Sequence, residues 1–252
     1  MKIRITNKAG EEKTISARQV IKEAPGVFDA ALRRASKTIQ SGMERVKEDV
    51  HTVRDRDPAA KSDLEVLTLY SGVHAVLAYR LAHALDDRGY SLPARAVSQG
   101  AKFLTGVEIH PSAKIGRRLF IDHGEGVVIG ETSVIGDDCT IYQGATLGGT
   151  GKETGKRHPT VGDGVMIGSG AKVLGPVKIG DHSKIAAGAV VLKDIPPHCT
   201  AVGIPARIVK QNDERVEDLD QIHIPDPVEK EFTRLRDELN KLKKEVHRKE
   251  EK

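Results

Sequence analysis

The sequence predicts an α+β protein in three parts: a mainly helical N-terminal domain over 1–106, a parallel β-helix over 107–210, and a linker with a heptad helix over 211–252. Three observations carry this. Aliphatic residues recur every six positions through the middle of the chain, helical spacing precedes them, and a 4-3-4-3-4 apolar seam follows them. Composition agrees: aromatics are 3% of residues, Trp is absent and Gly numbers 25. Bulky rings are the usual filler of a core, so this one must be filled by small and β-branched side chains.

In chain order, Ile3 and Ile5 alternate before "NKAGEE", as a short hairpin over 1–16 would. The stretch "GVFDAALRRASKTIQSGMERVKEDVHTV" then places Val27, Ala31, Ala35, Ile39, Met43, Val46, Val50 and Val53 at helical spacing. "SDLEVLTLYSGVHAVLAYRLAHALDDRG" and "PARAVSQGAKFLTG" read as further helices separated by Pro and Gly breaks.

A six-residue repeat dominates the centre of the chain. Ile109, Ile115 and Ile121 are six apart. So are Ile129, Ile135, Ile141 and Leu147, and again Val161, Ile167, Val173, Ile179, Ile185 and Val191. An α-helix cannot hold a period of six on one face, and a plain strand alternates every two. A chain that turns a corner every six residues can. Three such flats close one triangular coil with its aliphatics inside, and glycine and other small residues take the corners, where backbone angles are demanding. Two irregularities interrupt the count. A two-residue slip falls near Gly126 to Ile129, and the step from Leu147 to Val161 is 14 rather than 12. "GGTGKETGKRHPT" has no aliphatic, so it reads as a protruding loop carrying Arg157 and His158. The prolines of "DIPPHCTAVGIPARIV" stop the winding.

After "IPDPVEK", Val228, Phe232, Leu235, Leu239, Leu242 and Val246 form a heptad seam flanked by Lys, Arg and Glu. About three heptads is short for a helix alone in water. The seam predicts a self-associating, three-stranded coiled coil; the other reading is an amphipathic helix lying on its own domain. Trimers of prisms packed side by side would suit a three-stranded tail.

Several classes are excluded by the totals. The net charge of +4 is spread over interspersed signs, without a basic patch interleaved with aromatics, so no nucleic-acid partner is expected. No apolar run approaches the ~18 residues of a membrane span, and "MKIRITNKAGEEK" lacks the apolar centre of a signal peptide. A cytoplasmic protein is expected. Cys139 and Cys199 are too few for a disulfide framework or a zinc cage, so no metal is expected and both read as small fillers in a reducing compartment.

"DPAAKSDLEVLTLYSGVHAVLAYRLAHAL", "GVEIHPSAKIGRRLFIDHGEGVVIGET" and "TLGGTGKETGKRHPTVGDGVMIGSGAKVLGPVKIGDHSKIAAGAVVLKDIPPH" together resemble serine O-acetyltransferase, of the hexapeptide-repeat acyltransferase superfamily. The resemblance implies a left-handed β-helix and acetyl transfer from acetyl-CoA to the hydroxyl of L-serine, giving O-acetylserine for cysteine biosynthesis. It places the general base at His123 in "IDHG" and its carboxylate partner at Glu108 in "VEIHP". Asp57 in "RDP" and Asp122 would hold the substrate ammonium, Arg157 in "KRHP" its carboxylate, and His158 would contact substrate. Gly148, Gly149, Ser169 and Lys184 match the groove for acetyl-CoA. From spacing, Glu108 and His123 fall on neighbouring turns near one corner, close enough to touch. The loop with Arg157 and His158 is expected to reach a neighbouring prism, which makes a homotrimer the catalytic unit; a dimer of trimers is the alternative the family offers. L-cysteine is expected as a feedback inhibitor. A sulfhydrylase complex is not, because members that form it dock through a C-terminal isoleucine and this chain ends "RKEEK". The residues also leave open a transferase acting on another hydroxyl, and a non-catalytic trimerisation scaffold.

Overall fold

The computed structural model describes residues 2–6, 12–16, 40, 42–151, 154–211 and 232–241. The chain divides into two compact units, 1–47 and 48–252. In the first, β1 (Lys2–Thr6) and β2 (Glu12–Ser16) pair antiparallel with Ile3 opposite Ile15. The helix expected over 26–53 is described from 42, as the start of α1 (42–56); its earlier part lies outside the described residues.

The second unit holds the rest of α1, then α2 (Asp63–Leu69), α3 (Ser71–Asp86) and α4 (Ser91–Thr105). Ser62 caps α2: its Oγ accepts from the Glu65 N–H, a donor the first turn leaves open, while the Glu65 carboxylate reaches back to accept from the Lys61 N–H just before the cap. One extended residue, Tyr70, separates α2 from α3. The buried Asp49 carboxylate takes two bonds from Arg80, 2.8 and 2.9 Å, and locks α1 to α3. The α3 helix then packs on the base of the prism, where the Tyr79 hydroxyl donates to the Ala113 carbonyl at 2.7 Å.

The prism has three sheets, each gaining one strand per turn. The first stacks β3 (Glu108–Ile109), β6 (Val128–Ile129), β9 (Thr146–Gly148), β12 (Lys172–Leu174) and β15 (Val190–Val191). The second stacks β4 (Lys114–Ile115), β7 (Val134–Ile135), β10 (Thr160–Val161) and β13 (Lys178–Ile179). The third stacks β5 (Phe120–Asp122), β8 (Thr140–Tyr142), β11 (Met166–Ile167), β14 (Lys184–Ile185) and β16 (Cys199–Val202), and β17 (Arg207–Gln211) closes its end antiparallel. The six-residue aliphatics stack inside: Ile109 on Ile129 on Leu147, then Val173 and Val191. Each is buried, and truncating one to Ala would cost about 2–5 kcal/mol. Cys139 and Cys199 are buried within the same core.

Three details differ from the expected count. The slip lies earlier than Gly126: Asp122 pairs with Tyr142, while the Gly144 N–H already bonds the Glu125 carbonyl, so the extra residues are His123 and Gly124. The long step is a single corner, since β10 directly follows β9 around the prism; Leu147 to Val161 therefore takes 14 residues where six suffice, an excursion of eight. The winding also passes Pro196 and Pro197, because Thr200 and Ala201 still pair in parallel with Lys184 and Ile185.

Candidate active site

The first corner insertion builds half of the site. The Gly124 N–H donates to the Asp122 carbonyl at 2.6 Å across His123, whose φ is 58°. This is a γ-turn of the rare positive-φ kind, a conformation that costs a non-glycine residue on the order of 1–3 kcal/mol. Two neighbours hold it. The Ser71 hydroxyl, in the first turn of α3, donates to the His123 carbonyl at 3.1 Å. Gly124 has φ 80°, and a Cβ there would lie 2.9 Å from Val107, so both angle and space demand glycine. The turn throws the imidazole outward, with 74% of the side chain exposed.

Beside it stands a pair of carboxylates. Asp57 accepts from the Ala59 N–H through Oδ1 and from the Tyr70 hydroxyl through Oδ2, each at 2.8 Å. Burial pushes the Asp122 carboxyl above its usual range; the His123 imidazole opposes the shift and the negative charge of Asp57 adds to it. Burial and the bond to Asp57 push the Tyr70 phenol up to about 12, so at neutral pH it stays a donor. The structure therefore brings Asp57, Asp122 and His123 together. Glu108 makes no ion pair with the His123 ring, although Val107, next to Glu108, lies against Gly124, next to His123. The Glu108 carboxylate is taken by Lys102 Nζ, 2.6 Å away on the last turn of α4, and the acid nearest the His123 ring is Asp122 at 3.9 Å.

The second insertion builds the other half. Arg157 and His158 both donate their backbone N–H groups to Thr132 Oγ1 at 3.0 Å. The Arg157 guanidinium grips the Glu131 carboxylate. His158 Nδ1 receives the Thr132 N–H at 3.2 Å and lies 2.9 Å from its hydroxyl. An Nδ1 that accepts a backbone N–H carries no proton, so the neutral ring has its hydrogen on Nε2. Burial, then the charge of Arg157, hold the imidazole below its ordinary range and keep it neutral. The ring, in a residue only 8% exposed, occupies the space Gly130 leaves: a Cβ there would sit 2.0 Å from His158 Cδ2. The C-terminal end of the loop is thus anchored on Thr132 and Gly130 of its own chain.

Within one chain the two halves occupy different corners. His123 lies between the third and first sheets, and His158 follows the first sheet before the second. Gly148 and Gly149 share the corner of His158; a Cβ on Gly149 would lie 3.2 Å from His158 Nε2. Ser169 sits on the edge that carries His123, two turns further on, where its carbonyl accepts from the Gly188 N–H at 2.8 Å. Lys184 opens β14 on the third sheet. The four residues expected around acetyl-CoA are therefore not gathered at one place in a single chain. Sequence reasoning missed Tyr70, Ser71, Glu131 and Thr132. Tyr70 and Ser71 stand inside "SDLEVLTLYSGVHAVLAYRLAHALDDRG", which reads as a single helix, so the break between α2 and α3 gives no signal in the sequence.

The chain matches the family model described as bacterial transferase hexapeptide (six repeats) over residues 158–193. It is 56% identical over 209 residues to a serine acetyltransferase of Bacillus licheniformis, covering 82% of this chain and 97% of that protein. Among solved structures, a serine acetyltransferase in complex with cysteine superposes with a TM-score of 0.72 at 43% identity, covering 76% of each chain. Soybean serine acetyltransferase complexed with serine gives 0.67 at 45%, covering 70% of this chain and 72% of that one. A serine acetyltransferase in complex with CoA gives 0.65 at 42%, covering 70% and 73%. With a prism of hexapeptide turns, two inserted corners carrying histidines and this identity over most of its length, the chain belongs to the serine acetyltransferase family of acyltransferases.

Proposed function

We propose that this chain transfers the acetyl group of acetyl-CoA to the hydroxyl of L-serine, with His123 as general base, and that the O-acetylserine formed feeds cysteine biosynthesis in the cytoplasm. The observation that carries the site assignment is the carboxylate pair beside the exposed imidazole. The charge of Asp57 is felt at Asp122, burial makes the charge on Asp122 costly, and an ammonium bound beside them would relieve both. The α-amino group of serine is such a cation. Bound there, it would set the serine hydroxyl near the His123 ring. A serine hydroxyl is a weak nucleophile at neutral pH, so attack on the thioester carbonyl requires a base to take its proton. His123 accepts that proton and returns it to the departing CoA sulfur. Asp122 supports the imidazolium in between. Glu108, the expected carboxylate partner of His123, can join through Oε1 while Oε2 stays with Lys102.

The serine carboxylate needs the opposite sign. Arg157 supplies a planar fork, and the proton on His158 Nε2 makes that ring a donor toward an oxygen rather than a second base. Since one chain keeps His123 and His158 on different corners, the two halves meet only between copies. A homotrimer with three shared sites results. Gly148 and Gly149, on the corner with His158, then flank the thioester, with Ser169 and Lys184 further along the groove for CoA. Complexes of relatives with CoA, serine and cysteine support this ligand set, and cysteine, which shares the ammonium and carboxylate of serine, would compete in the same pocket.

The test is thiol release from acetyl-CoA with serine, homoserine and sugars as acceptors. His123→Ala is expected to lower kcat on serine by about 100-fold or more with the melting temperature unchanged. Near-normal turnover would remove His123 as base, and preference for another acceptor would remove serine.

A further inference from the structure

We infer that the C-terminal helix is an interface for identical copies of this chain, joined as a parallel, in-register coiled coil. The described helix α5 covers 232–241, and all ten residues are exposed. Phe232, Leu235 and Leu239 lie on one stripe with 65%, 52% and 52% of their surface in solvent. The helix therefore does not lie on its own domain, which is the arrangement that would otherwise explain an amphipathic pattern. A single helix of this length is marginal in water, so the stripe needs a partner.

The charges select that partner. With Phe232 and Leu239 at a, and Leu235 and Leu242 at d, the g positions are Glu231, Glu238 and Glu245, and the e positions are Arg236, Lys243 and Glu250. In a parallel coil each g residue faces the e residue five positions on in the neighbouring helix. That sets Glu231 against Arg236 and Glu238 against Lys243, with one like-charged pair, Glu245 and Glu250. In an antiparallel coil g faces g and e faces e, so glutamates would oppose glutamates and Arg236 would oppose basic residues. Within its own helix Glu238 bonds Arg234 at 3.2 Å, an exposed i,i+4 contact worth a few tenths of a kcal/mol that leaves the carboxylate able to turn to a neighbour. Parallel helices of equal number are what a cyclic assembly of prisms supplies, since all its C-termini leave in the same sense. The strand count of three rests on the trimer proposed above; the parallel self-pairing does not.

The experiment uses the full chain with one added thiol. Cys139 and Cys199 are buried and stay silent under mild oxidation. Phe232→Cys, at a core position, is expected to form interchain disulfides at least about tenfold faster than Asp237→Cys on the outer face of the same helix. A threefold coil would link at most two chains of every three. Adding Leu235→Lys and Leu239→Lys should abolish the link while thiol release from acetyl-CoA persists. Equal rates for the two thiols, or no link at Phe232→Cys, would overturn the proposal. So would a link that forms only between Phe232→Cys and Leu242→Cys chains, since that is the antiparallel signature. Acetyl transfer measured on the same samples reports the active-site reading separately.

Discussion

Replacing Gly130 with alanine adds one methyl group where the structure has an imidazole. The new Cβ would lie 2.0 Å from His158 Cδ2, 2.2 Å from Nε2 and 2.9 Å from Cγ, against 3.4 Å for ordinary contact. Strand and ring cannot share the adjustment equally. The Gly130 N–H is bonded to the Leu147 carbonyl and its own carbonyl to the Ser133 N–H, both at 3.1 Å, so the backbone is pinned on each side. The ring must move by about 1.4 Å, which is the shortfall in contact. That breaks the Nδ1 contacts with Thr132 and points Nε2 elsewhere. A misplacement of about 1 Å in a positioning group can cost on the order of 100-fold in rate, or about 2.7 kcal/mol. We expect Gly130→Ala to lower kcat/KM for serine by about that factor, measured by thiol release. Gly100→Ala on α4 meets nothing within 4 Å and should be active. The decisive comparison is on a His158→Ala background, where the ring is gone and Gly130→Ala should cost nothing further. If the two losses multiply instead, or if Gly130→Ala alone is harmless, then His158 does not act from the position the structure gives it.

Two further outcomes are expected. Tyr70→Phe removes the 2.8 Å hydroxyl bond to Asp57 without removing the carboxylate; a bond to a charged group is worth about 1.5–3 kcal/mol, so KM for serine should rise about 10-fold or more while KM for acetyl-CoA holds, and an unchanged serine KM would deny Tyr70 its positioning role. The folded chain holds His158 below its ordinary value of 6.5, so the unfolded chain binds protons first on acidification; the stability this neutral ring contributes is whole above about pH 6.5 and is lost as pH falls through its lower folded value. Urea midpoints at pH 7.5 and 5.5 should therefore differ less in His158→Asn than in the unmodified chain.

The coils were legible because their cause is local and periodic. A buried aliphatic every sixth residue admits few alternatives, and Ile109 through Val191 stack as the count requires. The breaks were legible as breaks, but their size and place were not. Counting from Leu147 to Val161 cannot say whether one corner or two has been passed; only the pairing of Thr160 with Val134 decides it. Asp57, Asp122 and His123 could be named from motif resemblance, and the structure brings them together. Tyr70 could not, because its function depends on a bond to a residue 13 positions away across a helix end. Glu108 shows the limit from the other side: the count sets it beside the inserted corner, but the bond of its Oε2 to Lys102, on a helix outside the repeat, cannot be read from the coil.

The two insertions also explain why chemistry sits where the repeat fails. Along a regular coil every side chain has one of two fates, inward to the aliphatic stack or outward onto a flat sheet. Outward neighbours then lie a strand spacing of about 4.8 Å apart, in parallel rows that diverge from one another and do not converge on a small molecule. A corner that keeps the six-residue count keeps those rows. Adding two residues after Asp122 lets the chain fold back through a γ-turn, and this aims the imidazole off the row while Ser71, at the start of α3, holds the His123 carbonyl. Adding eight residues before Val161 lets a loop return over its own edge and press His158 into the gap left by Gly130. Each insertion strains or excavates the prism at one point, and the uninterrupted turns on either side, with their buried Ile, Leu and Val rows, supply the stability that holds it there. The places where six residues do not suffice are therefore the first to search for a side chain aimed off the rows in any chain that winds this way.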